Sequence, residues 1–140
     1  MIEGLSHMTF IVKDLEKTKH FLEYVFSAKE VYSSDGKNFS ISSEKFFIIG
    51  NMWIAIMENK KETLNCTYNH IAFKIKEIDY EEYLYKIKQL NLTIKSPRTR
   101  VNGEASSIYF YDYDNHLFEL HTGTLGERLK SYRTIGKIQD

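Results

Sequence analysis

The sequence predicts an α+β fold of two tandem βαβββ modules, residues 1–63 and 64–140, and three observations carry that prediction. First, "LSHMTFIVKDLE", starting at Leu5, lies over "YNHIAFKIKEID", starting at Tyr68, with His7 on His70, Phe10 on Phe73 and Leu15 on Ile78. Second, the same offset of 63 residues lays "KFFIIGNMWIAIM", from Lys45, on "IYFYDYDNHLFEL", from Ile108, without a gap. Third, the apolar spacing in each copy runs from two, to about 3.6, and back to two, the signature of strand, helix and further strands. A fixed internal period of this kind sets the architecture before any single element is considered.

The elements follow in order. Residues 5–12 alternate, with Leu5, His7, Thr9 and Ile11 on one face. Asp14 is an N-cap for a helix whose inward positions are Leu15, Thr18, Phe21, Leu22 and Val25. Short strands are expected at 29–33, 39–42, 45–49 and 53–57, with turns at Gly36 and Gly50-Asn51. In the second module, 69–76 reads as a strand and 80–90 as a helix with Tyr83, Leu84, Ile87 and Leu90 inward. Strands at 93–95, 107–111 and 116–121 follow, then a terminal helix over 125–132. The loop "SPRTRVNGEAS" holds the only proline and two arginines, in the kind of segment that carries function. The tail "TIGKIQD" is expected to fray.

Composition bounds the function. Apolar residues make up 42% and charged residues 27%, so the chain is expected to be globular and ordered. Nineteen basic side chains balance nineteen acidic ones, and no overall field favours nucleic acid or a membrane surface. The single cysteine, Cys66, excludes an internal disulfide and reads as structural. There is no signal-peptide pattern and no apolar run of membrane-spanning length, so a cytoplasmic location is expected.

Chemistry concentrates on three residues. Glu119 sits in the otherwise apolar strand "HLFELH", where a carboxylate is costly to bury unless it is paired or binds a metal. His7 to Ile56 spans 49 residues, and so does His70 to Glu119, so three of four repeat-equivalent positions carry metal-ligating types and the fourth is Ile56. Converged, His7, His70 and Glu119 suit a divalent metal with open positions. Alternatives stay open: a strand histidine often has a purely structural role, and Glu119 could pair with Arg128 or a lysine. His20 reads as solvated, His116 as serving the "DYDN" turn, and His121 as a neighbour on the Glu119 face.

Paired βαβββ modules with His, His and Glu resemble the vicinal oxygen chelate superfamily, whose glyoxalase-like fold forms cupped mixed sheets. Within it the chain resembles the fosfomycin-resistance proteins over nearly its whole length. The segments that carry this are "GLSHMTFIVKDL", "SSEKFFIIGNMWIAIME", "TYNHIAFKI", "SIYFYDYDNHLFELHTGTL" and "ERLKSY". Some of those proteins add a thiol to the epoxide of fosfomycin. The FosX type adds water with a glutamate as base, and "SSEKFF" places Glu44 at that position. The implied activity is Mn(II)-dependent hydrolysis of the epoxide to a diol phosphonate, conferring antibiotic resistance, with Glu44 as general base.

The resemblance also implies the remaining roles. Thr9 hydrogen-bonds the epoxide oxygen, and Trp53 and Phe46 line the pocket. Ser107, Tyr109 and Arg128 hold the phosphonate, with Arg100 or Arg98 from the preceding loop. Gly103 stands where potassium-using relatives have a serine, which puts a potassium site in doubt. A homodimer is implied, each site drawing His7 from one subunit and His70 and Glu119 from the other. Bland readings remain: Tyr109 and Trp53 as core aromatics, Arg128 as a surface residue, Glu44 as a solvated strand end beside Lys45. Rival functions are a thiol transferase on the same scaffold, another enzyme of the superfamily, and a protein that sequesters a small anion.

Overall fold

The structure is a computed structural model that describes residues 1–37, 39–100 and 103–136. The expected roles of the tail beyond residue 136 and of Val101 and Asn102 in the arginine loop lie outside the described residues. The chain divides into two compact units, Met1–Asn65 and Cys66–Asp140.

In the first unit, β1 (His7–Val12) leads through α1 (Leu15–Phe26) to β2 (Lys29–Ser33), β3 (Glu44–Ile49) and β4 (Met52–Glu58). The sheet order is β1-β4-β3-β2, with β1 parallel to β4 and the other pairs antiparallel. Asp14 caps α1 as expected, its carboxylate accepting from the Lys17 amide at 2.9 Å. Ser27 closes the helix in the left-handed region at φ 53°. Thr18, Phe21, Leu22, Val25 and Phe26 form the buried stripe of α1, and Leu15 is only half-buried. That stripe belongs to a core with Val12, Phe47, Ile54 and Ile56, where each large side chain contributes roughly 1.5–3 kcal/mol. Lys45 is buried on the helix side of β3 and pairs with Glu16 at 3.1 Å and Glu30 at 3.4 Å. Alternation therefore puts Glu44 on the opposite face, and it is buried, not the solvated neighbour of Lys45.

The strand expected at 39–42 is not there; those residues form bends. The β2–β3 ladder is closed off by Ser34, whose amide donates to the Glu44 carbonyl (3.0 Å) and whose hydroxyl accepts from the Glu44 amide (3.1 Å). Residues 39–42 lie beyond that closure, and Phe39 and Ile41 are exposed.

The second unit repeats the plan: β5 (His70–Lys74), α2 (Tyr80–Gln89), β6 (Thr93–Lys95), β7 (Ser107–Tyr111) and β8 (Leu117–His121), in sheet order β5-β8-β7-β6. A 3-10 turn, Glu77–Asp79, precedes α2, whose stripe is thinner: Ile87 is fully buried while Tyr83, Leu84 and Leu90 are half-buried. A last helix, α3 (Leu125–Gly136), runs four residues past the expected end. Thr124 and Glu127 cap it reciprocally: the Thr124 amide donates to the Glu127 carboxylate at 2.7 Å and the Glu127 amide to the Thr124 hydroxyl at 3.2 Å.

The gap-free repeat needs one correction. β3 and β4 join through Gly50-Asn51, with Ile49 paired to Met52. In the other unit the Asp112 amide donates to the His116 carbonyl at 3.0 Å, leaving three residues in the turn and Asn115 at φ 66°. The Asp112 carboxylate fastens this turn by accepting from the amides of Asp114 (2.9 Å) and His116 (2.8 Å), and His116 serves the turn through its ring at 2.7 Å. The extra residue shifts β8 by one, so β4 and β8 correspond at an offset of 64 (Trp53 and Leu117 each pair with the first histidine of their unit). The counterpart of Glu119 is thus Ala55, not Ile56, whose true counterpart is Leu120; both of the latter are fully buried core residues.

Candidate active site

Strand alternation assembles a polar face on the second unit, opposite α2. His70 opens β5, and Glu119 on β8 is register partner of Ala72. The His70 Nε2 atom lies 3.0 Å from Glu119 Oε2. Its other ring nitrogen, Nδ1, donates to the Tyr68 carbonyl at 2.7 Å, which fixes the tautomer and leaves the Nε2 lone pair aimed at the carboxylate side. The Glu119 side chain is only 5% exposed. Burial alone would push its carboxyl up, but hydrogen bonds from Ser107 and Tyr109, with His121 and His70 nearby, hold it below the ordinary carboxylate range. The Ser107 hydroxyl donates to Glu119 Oε1 at 2.6 Å. Burial raises the Tyr109 phenol well above its usual value, with Tyr68 and Glu119 adding to the effect.

A cleft of about 280 Å³ opens here, lined by His70, Ala72, Glu119, His121, Thr124 and Arg128 among others. The two arginines of the preceding loop separate clearly. Arg98 forms a two-pronged pair with Glu104, and also reaches the Tyr132 hydroxyl at 3.4 Å. The Glu104 side chain is 1% exposed and lies 4.0 Å from Arg128 Nε as well. Arg100 instead buries both terminal guanidinium nitrogens without a hydrogen-bond partner among the described residues, one of them 3.9 Å from Glu119 Oε1. A guanidinium left so is a donor fork in want of an anion.

The first unit carries a more apolar counterpart. His7 stacks on Trp53 with ring centroids 4.2 Å apart, and its Nδ1 lies 3.1 Å from the Ser6 hydroxyl. Phe46 meets Trp53 edge-on at 5.2 Å. Alternation puts Thr9 and Glu44 on the same face, Thr9 beside Ala55 and Glu44 beside Met57. The Trp53 indole N–H is buried without a partner among the described residues.

Among the described residues no group of three His, Cys, Asp or Glu side chains is arranged to hold a metal ion. Of the three expected ligands, His70 and Glu119 lie together in the second unit and His7 belongs to the first. The pair in the second unit fits a divalent metal in chemistry, with one imidazole nitrogen of fixed tautomer and one ionised oxygen. Ser107 differs from expectation, because its proton is already committed to Glu119. Sequence reasoning gave little weight to His121, whose Nδ1 lies 2.8 Å from Ser107 Oγ, and missed Glu104 and Tyr68. His121 was reachable by alternation from Glu119; Glu104 had no signal in periodicity, being a loop residue with a loop partner, and only the family's loop glutamate pointed to it.

Residues 4–120 match the Glyoxalase/Bleomycin resistance protein/Dioxygenase superfamily, and the chain belongs to it. Within that superfamily it is 60% identical to the fosfomycin resistance protein FosX of Mesorhizobium japonicum, over 92% of each chain. A crystal structure of a mutant FosX from Listeria monocytogenes, complexed with Mn(II) and 1S,2S-dihydroxypropylphosphonic acid, superposes with a TM-score of 0.87 at 58% identity, covering 93% of this chain and 99% of that one. A more distant relative, the metallothiol transferase FosB of Staphylococcus saprophyticus, is 37% identical over 95% of this chain and 85% of its own.

Proposed function

We infer that this protein is a Mn(II)-dependent hydrolase that opens the epoxide of fosfomycin to a diol phosphonate and so confers resistance to the antibiotic. The observation that carries this is the His70–Glu119 pair, 3.0 Å apart, with the Arg100 guanidinium 3.9 Å from that carboxylate and without a hydrogen-bond partner among the described residues. A cation site flanked by an anion fork suits a substrate with an epoxide oxygen close to a phosphonate. The diol phosphonate bound to the FosX relative with Mn(II) is what water addition to such an epoxide yields.

His7, His70 and Glu119 would hold the cation, which when bound supplies Lewis-acid stabilisation of the alkoxide that develops as the ring opens. Arg100 and Arg128 bind the phosphonate, with Tyr109 beside them; Ser107, whose proton serves Glu119, has none left to donate to it. Trp53 and Phe46 give the pocket an apolar wall, and Thr9 donates to the epoxide oxygen. Glu44 takes the proton from the attacking water. Its burial keeps it off bulk solvent, as a base close to a reacting centre requires.

The working form that the family resemblance implies is a homodimer in which His7 of one protomer meets His70 and Glu119 of its partner. No described helix is long and apolar enough to cross a membrane, in keeping with a cytoplasmic enzyme. The rival is thiol transfer, favoured by the FosB relative.

Phosphorus-31 NMR of fosfomycin with the Mn(II)-loaded protein separates the two. Diol phosphonate forms without thiol, and Glu44→Gln lowers its rate by about 10²–10⁴-fold while Mn(II) still binds. Product that appears only with added thiol would move the protein to the transferase branch.

A further inference from the structure

Ser107, Glu119 and His121 form a connected chain on the face of β7 and β8. Register pairs Ser107 with His121 across these strands, and Glu119 is one pleat further along β8. Ser107 Oγ lies 2.6 Å from Glu119 Oε1 and 2.8 Å from His121 Nδ1. A hydroxyl has a single proton, and an ionised carboxylate can only accept, so that proton points at Glu119. The contact to His121 must then run the other way, with Nδ1–H donating to Ser107 Oγ. His121 Nδ1 is also 3.5 Å from Glu119 Oε1, on the same side of the carboxylate. One carboxylate oxygen is thereby tethered, while the other, Oε2, faces His70 Nε2.

The imidazole is itself wedged. A Cβ added at Gly123 would lie 2.9 Å from His121 Nε2 and 2.5 Å from the Ala105 Cβ, so only glycine leaves room for the ring there. The strand ends beside it are pinned, with the Thr122 amide donating to the Ser106 carbonyl at 3.0 Å and the Ser106 amide to the Thr122 hydroxyl at 3.0 Å. The first unit has no such chain: Glu44 and Met57 stand where Ser107 and His121 stand.

We propose that His121 is a positioning residue, acting through Ser107 to hold the Glu119 carboxylate in the rotamer that presents Oε2 to a divalent cation. It is not itself a ligand, because Nδ1, the nitrogen on the Glu119 side, is spent on Ser107, and Nε2 is packed against Gly123. This rests on the reading of His70 and Glu119 as metal ligands. Outer hydrogen bonds of this kind set metal affinity by about 10–100-fold.

The test is Mn(II) affinity of the full chain, read from the free-ion electron paramagnetic resonance signal at fixed pH and ionic strength. His121→Leu and Ser107→Ala each weaken binding by about 10–100-fold. The double variant is no worse than either single one, since both cut the same chain. His121→Asn, whose amide N–H can stand where Nδ1–H stood, recovers most of the loss; a merely space-filling role would not be rescued this way. Should His121→Leu fail to fold, Ser107→Ala and His121→Asn still decide the matter: a Ser107→Ala affinity equal to wild type overturns the proposal. So does a His121→Asn affinity that falls by 10-fold or more, or a His121→Leu affinity equal to wild type. His70→Ala and Glu119→Ala are run alongside. If they leave Mn(II) affinity unchanged, the metal site itself is wrong and the inference falls with it. If they abolish binding while His121 and Ser107 do not matter, the inference alone falls.

Discussion

Two sheets of the same order carry different chemistry on corresponding positions of one face. Met1–Asn65 has His7, Thr9, Glu44, Phe46, Ala55 and Met57 where Cys66–Asp140 has His70, Ala72, Ser107, Tyr109, Glu119 and His121. Only the histidine is shared. Around Glu119 the second unit arranges hydroxyl and imidazole donors, which is what lets a carboxylate stay ionised while nearly fully buried. Around Ala55 the first unit arranges Phe46 and Trp53, which make an apolar wall instead. On the proposed function, one copy holds the cation and the anion and the other carries the third ligand and the base.

The comparison can be broken most forcefully by removing ligands from one copy at a time. Glu119→Ala and His7→Ala should each lower fosfomycin turnover by at least about 10³-fold, since the electrostatic stabilisation lost is of the order of 4 kcal/mol. If sites are shared between protomers, mixing the two inactive variants under subunit exchange restores about a quarter of wild-type activity, because half the dimers are mixed and each has one intact site. Two units that close a site within one chain would restore nothing.

Ala55→Glu sharpens the same contrast. It places a carboxylate at the true counterpart of Glu119, at a position 3% exposed, without the Ser107 and Tyr109 donors. The expected cost is about 3 kcal/mol of stability, read as a lower urea midpoint, and no new metal site. Ile56→Glu, by contrast, would enter the helix-side core and behave as a plain core lesion.

Next in size is the arginine pair. Arg100→Ala should raise KM for fosfomycin by about 10–100-fold, the worth of a charged hydrogen bond to the phosphonate. Arg98→Ala should act mainly on melting temperature, since its guanidinium is committed to Glu104. Reversal of the two would mean that Arg98 is the anion contact.

The smallest effect concerns α3, which the first unit lacks. Glu127 has a carboxyl below its ordinary value, chiefly through the Thr124 hydroxyl and then its amide. A depressed folded-state value means the contribution is present above the unfolded carboxylate range, near pH 4, and is lost as pH falls through the lowered one. Amide shifts of Thr124 followed by NMR should show the helix N-terminus fraying only in that acid window, and Glu127→Gln should remove the transition.

Much of this was legible in the linear chain. The repeat, the Asp14 cap, the apolar stripe of α1 and the shared face of Glu119 and His121 along one strand all follow from local pattern, which the backbone imposes without help from distant residues. The pairing of each histidine strand with its module's last strand came only from the structure. The bends at 39–42 were missed because Phe39 and Ile41 alternate like a strand but find no partner once Ser34 closes the ladder.

What the sequence by itself determined is the repeat, the kind of each element that formed and the residues of cation-ligating type, because spacing along one chain decides which side chains share a face. What only the tertiary structure decided is where hydrogen bonds go. The extra residue in the Asp112 turn moved β8 by one and made Ala55 the counterpart of Glu119. Packing of the arginine loop against α3 assigned Arg98 to Glu104 and left Arg100 without a hydrogen-bond partner among the described residues. Such choices depend on contacts between residues far apart in the chain, whose energies no local pattern encodes.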